Sequence, residues 1–206
     1  MKSLGVILDK RLFFDGQVKA KCYAIHYHSR SLCYIRQSLP GRLAETFASC
    51  VVLRLDYCNS LLVGTSKANR HMLQTAQNTV ARVVTRTKWC EHIQPVLFDL
   101  HWLPVIHRIS FKVAALTFKI RKTGEPAYLA TLIRDKGEIR SLRSSNKCYL
   151  EVPRRRTETA KRSFSYAAPS VWNSLPYSIR QLDPATVSLR TFKKQLKTYF
   201  FHLTHS

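Results

Sequence analysis

Arg54-Leu55-Asp56-Tyr57-Cys58-Asn59 opens the stretch of sequence, residues 54–122, around which we expect the rest of the chain to pack. Two segments of this stretch, 67–87 and 104–122, have apolar residues at the spacing of an amphipathic helix. His101-Trp102-Leu103-Pro104 lies between them. The shorter ordered piece expected at 95–103 should stop before this proline. The second segment is apolar on two sides, which is typical of a helix sandwiched between neighbours. We therefore predict that it is the central helix of the fold.

The flanking sequence predicts more helices and a little β-structure. Residues 4–8 have the pattern of a short buried strand, which Phe13-Phe14 would pair with or cover. Asp15 is the expected N-cap of a helix that runs to about Ser38. Further helices are expected at 40–55, at 126–133 after Gly124, between the prolines of 164–176, and from Ser188 onward, with short ordered pieces at 95–103 and a strand at 149–152. The predicted fold is mainly α: a helical bundle with a short N-terminal β element and a small, irregular α/β C-terminal segment.

Charge is the most unusual property of the composition. The 206 residues carry 34 Lys and Arg against 12 Asp and Glu, a net charge of +22. Self-repulsion of this size is relieved by a polyanion, so nucleic acid is the first candidate partner and an anionic membrane surface the second. No apolar run approaches the roughly 20 residues that span a bilayer, and the N-terminus does not resemble a signal peptide. We therefore expect nucleic acid, and not a membrane, to be the partner. Six widely spaced cysteines without a Cys-x-x-Cys pair indicate a reducing intracellular compartment and free, mostly buried thiols.

The helix predicted at 15–38 has two contrasting faces. Its apolar face contains Val18, Cys22, Ile25 and Leu32. The opposite face, within an arc of about 80°, combines basic and aromatic residues: Lys19, Tyr23, Tyr27, Arg30 and Tyr34. This face could lie along a nucleic-acid duplex, with tyrosines at sugars and cations at phosphates. The alternative is that the tyrosines pack on a neighbouring helix, because aromatic side chains are usually buried for their area.

Three other basic groups are candidates for phosphate contacts. They are the pair Arg82 and Arg86, the helical stripe Arg108, Lys112 and Lys119, and the run Arg154, Arg155 and Arg156. The first two groups could equally be solvated flanks whose aliphatic stems cover apolar surface. The arginine run is the densest charge of a basic linker, residues 134–162, and a nuclear-localisation signal is a second, unspecific interpretation of it.

Catalytic and metal sites are not indicated. Cys90-x-His92 with His101 or Cys58 does not match the ligand spacing of a zinc site, and no nucleophile-elbow pattern surrounds a serine or cysteine. The six aspartates are isolated in sequence, whereas nucleotidyl transfer requires paired carboxylates for two metal ions. Trp102 and Trp172, each close to a proline, are expected to anchor the core.

Several short motifs follow one another in an order known from one family. They are Leu4-Gly5-Val6-Ile7-Leu8-Asp9, Arg54-Leu55-Asp56-Tyr57-Cys58-Asn59, Ala76-Gln77-Asn78, Ala81-Arg82, Thr85-Arg86-Thr87, His101-Trp102-Leu103-Pro104, Pro126-Ala127-Tyr128-Leu129, Leu142-Arg143-Ser144-Ser145, Val152-Pro153-Arg154, Ala168-Pro169, Trp172-Asn173-Ser174-Leu175-Pro176 and Phe192-Lys193. Together they resemble the C-terminal part of the reverse transcriptase of LINE-type (non-LTR) retrotransposons, on the jockey and chicken-repeat side of the group. The chain departs from the family at Ala160-Lys161, where a glycine is frequent, and at 65–69, which lacks a common proline.

The resemblance implies four parts for this chain. Residues 1–14 would be the tail of the polymerase palm, 15–133 a helical thumb and its extension, 134–162 the basic linker, and 163–206 a C-terminal segment with a terminal amphipathic helix. The implied role is to hold RNA or DNA template–primer within an RNA-directed DNA polymerase, in the nucleus or in a cytoplasmic ribonucleoprotein. The implied magnesium ions and catalytic aspartates belong to the palm and fingers, so we expect this chain to be a fragment that binds no cofactor and does not polymerise DNA alone.

Two other functions remain compatible with the sequence. One is a stand-alone RNA- or DNA-binding protein derived from such an element, and the other is a basic helical module that binds proteins. Binding that weakens steeply with salt would separate the two nucleic-acid functions from the protein-binding one.

Overall fold

The computed structural model describes residues 1–136 and 148–205, and this part of the chain is mainly helical, as the sequence predicts. The helices are α1 (Asp15–Ile35), α2 (Gly41–Asp56), α3 (Lys67–Thr85), α4 (Ile93–Asp99), α5 (Val105–Thr123), α6 (Ala127–Ala130), α7 (Glu158–Lys161), α8 (Phe164–Ser174), α9 (Tyr177–Arg180) and α10 (Leu189–His205). The chain forms two compact units, residues 1–109 with 203–206 and residues 110–202. The boundary predicted near residue 133 falls inside the second unit.

The N-terminal β element is a hairpin rather than the single strand expected at residues 4–8. Strand β1 (Lys2–Ser3) pairs antiparallel with β2 (Val6–Ile7). The turn between them places Leu4 and Gly5 at positive φ, as two-residue hairpin turns require, and Leu4 is 89% exposed. The prediction failed because the apolar character of a five-residue run does not reveal that its first two residues form a turn.

The start of α1 also differs from the prediction. Phe14, in the left-handed region at φ 61°, is the N-cap, and Asp15 is the first helical residue. The Asp15 carboxylate accepts a hydrogen bond from Asn69 of α3 at 2.7 Å instead of capping its own helix. Gln17 in the first turn accepts the amide hydrogen of Ile7 at 2.8 Å, which ties the hairpin to α1.

The core of the first unit forms where α1 packs against α2 and α3. The predicted apolar face of α1 is buried, and so are Leu73, Ala76, Val80 and Val84 of α3. Gln77 is fully buried on the same helix, and its side-chain amide donates to the carbonyl of Leu103 at 2.9 Å. Trp102 is buried as expected for a core anchor.

The opening motif of the central stretch holds several elements of the first unit together. Asp56 at the end of α2 forms a 2.7 Å ion pair with Arg108 of α5, and Asn59 donates to the same carboxylate at 3.3 Å. The Tyr57 hydroxyl donates to the carbonyl of Leu4 in the hairpin turn at 2.6 Å. The ammonium group of Lys21, buried on α1, donates to the carbonyls of Leu55 and Tyr57. Burial lowers the pKa of Lys21.

The core of the second unit is aromatic. Phe118 of α5 stacks on Phe192 of α10 with ring centroids 4.0 Å apart, and Trp172 of α8 stacks on the same phenylalanine at 5.9 Å. The indole of Trp172 is fully buried and donates to the carbonyl of Cys148 at 3.1 Å. The Arg121 guanidinium lies 5.1 Å from the Trp172 ring centroid, and it pairs with Asp135 at 2.9 Å. Trp172 is therefore the core anchor that the sequence predicts.

The basic linker predicted at 134–162 is described at its two ends, residues 134–136 and 148–162. Residues 137–147, including the Leu142–Ser145 motif, lie outside the described part of the chain. The strand expected at 149–152 is reduced to one antiparallel bridge between Asp135 and Leu150. The linker also contains α7, whose N-cap Thr157 accepts a hydrogen bond from the amide of Ala160.

No disulfide bond joins the six cysteines, all of which lie in the described part of the chain, but the prediction that most of them are buried is wrong. Cys22 is buried and Cys58 is half-buried, whereas Cys33, Cys50, Cys90 and Cys148 are exposed. No helix of residues 1–136 or 148–205 has both the length and the apolar character needed to cross a membrane.

Candidate functional site

The aromatic–basic face of α1, formed by Lys19, Tyr23, Tyr27, Arg30 and Tyr34, is open to solvent along its whole length. The three tyrosines are 77%, 62% and 88% exposed, in chain order. The packing of the opposite, apolar face of α1 against α2 and α3 turns this face outward. The alternative that these tyrosines pack on a neighbouring helix is therefore wrong for the described chain. With a helical rise of about 1.5 Å per residue, the face is about 22 Å long.

Three exposed tyrosines in line with two exposed cations are chemically suited to a polyanion that also has flat or apolar surface. A tyrosine ring offers contact area with little loss of side-chain freedom, and its hydroxyl group can donate to a sugar or phosphate oxygen. Lys19 and Arg30 are about 16 Å apart along the helix axis, so they could neutralise two separate phosphates. This face is the strongest candidate site in the first unit.

Arg82 is a structural residue as well as a candidate site residue. Its guanidinium donates to the carbonyls of Lys88 and Glu91, the latter at 2.7 Å, and lies 5.5 Å from the centroid of the Trp89 ring. These contacts hold the loop that follows α3. The candidate partner Arg86 ends α3 in the left-handed region and donates to the carbonyl of Arg36 at 3.1 Å.

A cleft of about 600 Å³ lies beside these arginines. It was not predicted from the sequence, and its lining is contributed by the C-terminal ends of α1 and α3 and the following loop: Cys33, Arg36, Gln37, Arg82, Val83, Arg86, Thr87 and Trp89. Trp89 is 73% exposed. One sequence feature could have identified the site: Trp89 follows Arg86 by three residues. This spacing lets an exposed loop bring an aromatic ring next to the arginines at the helix ends.

Arg108 does not belong to an exposed cationic stripe. Its side chain is only 15% exposed, its guanidinium pairs with Asp56, and its Nε donates to the carbonyl of Leu103 at 3.0 Å. A role in phosphate contact would break this network, so we leave Arg108 out of the candidate site. Lys112 and Lys119, the other two members of the stripe, are exposed on α5.

The arginine run Arg154, Arg155 and Arg156 is exposed in the second unit. Arg155 donates to the hydroxyl of Ser165 at the start of α8, at 3.3 Å. For Arg154 and Arg156, the described residues provide no hydrogen bond or ion pair. The run thus remains a candidate for non-specific contact with phosphates.

The side chains in the described part of the chain do not fit the two-metal site of a polymerase. Across residues 1–136 and 148–205, no three His, Cys, Asp or Glu side chains form a group that could hold a metal ion. Asp56 and Asp135 are each paired with an arginine.

Comparison of the chain with protein-family models, with curated proteins and with solved structures gave no match.

Proposed function

We propose that this chain binds nucleic acid through the aromatic–basic face of α1. The observation that carries the proposal is the exposure of all five side chains on one side of a helix whose other side is buried. Exposed aromatic residues arranged in a patch usually mark an interaction surface, because water is a poor environment for their rings. The two cations on the same face make the phosphate backbone of a nucleic acid the partner of matching chemistry.

The overall charge supports the same partner. At +22, the chain attracts polyanions over a distance of about 8 to 10 Å at physiological salt. In the proposed complex, Lys19 and Arg30 contact phosphates and release counterions, and the tyrosines lie against sugars or base edges. Because phosphates do not encode sequence, we expect binding to be largely independent of base sequence.

We further propose that the bound nucleic acid is the template–primer of an RNA-directed DNA polymerase of the LINE type. The ordered series of motifs supports this proposal, and the structure gives several motif residues a folding role. Asp56 and Asn59 both contact Arg108 of α5, and Tyr57 contacts the hairpin turn, which accounts for a motif of this composition without a catalytic role. In this proposal the catalytic aspartates and their magnesium are supplied by another part of the polymerase, within the nucleus or a cytoplasmic ribonucleoprotein.

The salt dependence of binding tests the role of α1. Fluorescence anisotropy would measure the affinity for a blunt RNA–DNA hybrid at several salt concentrations. Each neutralised phosphate contributes about 0.9 to the slope of log K against log salt, so Lys19→Ala with Arg30→Ala should reduce the slope by nearly 2. The matched control is Arg190→Ala with Lys194→Ala, which removes the same charge from exposed positions of α10.

An equal reduction of the slope in both double variants would show that binding is diffuse and does not use α1. Affinity that does not change with salt would instead favour the basic protein-binding module. The polymerase assignment has a separate test, in which the chain is added to a catalytic part of a LINE-type reverse transcriptase that lacks this region. Restored DNA synthesis would favour the polymerase over a stand-alone binder, and unchanged synthesis would oppose it.

A further inference from the structure

The cleft beside Trp89 combines two kinds of chemistry. Its lining contains three guanidinium groups, those of Arg36, Arg82 and Arg86, and one exposed indole ring. A volume of about 600 Å³ falls within the usual range of about 300–1,000 Å³ for small-molecule sites. Glu91, the acidic residue of the following loop, is not part of the lining, and its carboxylate accepts the backbone amide of Lys88 at 3.4 Å. The lining is therefore cationic.

The indole ring of Trp89 has one face already in use. The Arg82 guanidinium lies over the ring at 5.5 Å from its centroid and is itself fixed by hydrogen bonds to two loop carbonyls. With 73% of Trp89 exposed, the remaining ring surface is available to a flat ligand. A cation on one side of an aromatic ring and a base on the other is a favourable arrangement, because stacking and the cation–π interaction use separate faces.

The other two arginines keep donors for an anion. Arg36 donates through Nε to the carbonyl of Val84 at 2.7 Å and through one terminal nitrogen to Leu39 at 3.1 Å. Arg86 donates once, to the carbonyl of Arg36. A guanidinium has five N–H donors, so in the described structure both arginines have donors left over. Arg86 is exposed and Arg36 half-buried, so a phosphate could reach both from solvent.

We propose that this cleft binds one unpaired nucleotide of a nucleic-acid strand. The base stacks on Trp89, and Arg86 and Arg36 hold its phosphate. The inference rests on the proposed nucleic-acid binding of the chain, and it adds a second site with a different preference. The α1 face accepts a duplex, whereas the cleft requires a base that is free of its partner, because only an unpaired base can present its whole face to the indole.

Tryptophan fluorescence gives a specific readout of this site. The chain has three tryptophans, and Trp102 and Trp172 are 7% and 0% exposed, so an oligonucleotide in solution can quench only Trp89 by stacking. We expect a single-stranded 12-nucleotide oligouridylate, a length within the roughly 4–16 nucleotides that a single-strand-binding domain covers, to quench the fluorescence of the full chain. A blunt RNA–DNA hybrid of equal length should bind without this quenching.

The variant Trp89→Leu should lose the quenching and bind the single strand roughly 5- to 150-fold more weakly, which corresponds to about 1–3 kcal/mol per stacked base. Its affinity for the blunt hybrid should stay within about twofold, because Trp89 is not part of the α1 face. Arg86→Gln should weaken single-strand binding, and Arg190→Gln, which removes an exposed arginine of α10, should weaken it less.

The outcomes separate this inference from the proposed function. Hybrid binding together with a single strand that neither quenches Trp89 nor responds to Trp89→Leu would overturn the cleft proposal alone. If neither oligonucleotide binds, the proposed function fails as well. Quenching by the single strand in a chain that does not bind the hybrid would support the cleft and refute the duplex role of α1.

Discussion

The ion pair between Asp56 and Arg108 allows a quantitative test of the opening motif. In Asp56→Ala, the Arg108 guanidinium would keep its hydrogen bond to Leu103 but lose its only carboxylate partner in the described chain. Asn59 would lose the same acceptor. The guanidinium cannot move freely into water, because its side chain is only 15% exposed. The substitution therefore leaves a largely buried charge without a counterion.

The expected cost follows from the burial of the two partners. Breaking a fully buried pair costs about 3–5 kcal/mol and breaking an exposed one about 0–1 kcal/mol. The Asp56 side chain is 34% exposed, so an intermediate loss of about 2 kcal/mol is expected. Urea unfolding followed by far-UV circular dichroism should show a midpoint lowered by about 1 M, given slopes of about 1–3 kcal/mol per M.

Two further variants control this experiment. Replacing both partners, with Asp56→Ala and Arg108→Met, removes the unpaired charge and should recover most of the lost stability. Glu158→Ala breaks the exposed pair with Lys161 in α7 and should leave the midpoint unchanged. A chain with Asp56→Ala as stable as the unmodified one would refute the structural role assigned to the motif. So would a double variant that is less stable than either single one.

Three more substitutions test other parts of the fold. Burial lowers the pKa of Lys21, so between that pKa and the unfolded value near 10.4 the folded state binds fewer protons. Stability relative to Lys21→Met should therefore rise with pH in this alkaline window, and a pH-independent difference in urea midpoint would contradict the burial. Gln17→Ala removes the acceptor of the Ile7 amide, so hydrogen exchange at Ile7 should accelerate while exchange in α3 stays unchanged. Gly124→Ala should lower the free energy of unfolding by about 1 kcal/mol, because Gly124 has φ +68°. Gly41→Ala, at the start of α2 with open space around it, should be neutral or slightly stabilising. Equal urea midpoints for the two variants would contradict this difference.

The sequence predicted the helices because their apolar residues recur with the period of a helix. The buried residues Val18, Ile25 and Leu32 share one face of α1, and residues on two sides of α5, such as Val113 and Phe118, are buried as expected. Helix ends were less accurate, since α1 ends at Ile35 rather than near Ser38. Ends depend on backbone geometry, such as the left-handed residue Arg86 after α3, that periodicity does not encode.

The candidate site was only partly predictable for a related reason. The aromatic–basic face of α1 follows from helical spacing alone, so the residues on it were named in advance. Arg108 and Lys21 have partners that lie far away in the sequence. No local pattern reveals that Asp56 neutralises Arg108 or that backbone carbonyls accept hydrogen bonds from Lys21. The cleft at Trp89 was missed because it requires the ends of α1 and α3 to meet.

Arg36, just after α1, donates to the carbonyl of Val84 in α3, and Arg86, just after α3, donates to the carbonyl of Arg36. These two hydrogen bonds hold the end of α1 against the end of α3. The aromatic–basic face of α1 and the cleft are therefore held at a constant distance from each other. Lys19 begins the aromatic–basic face and Cys33 lines the cleft. The distance between them along α1 is about 21 Å, the length of about six stacked nucleotides. When a nucleic acid lies along the aromatic–basic face, the length of its unpaired end would thus decide whether that end reaches the cleft.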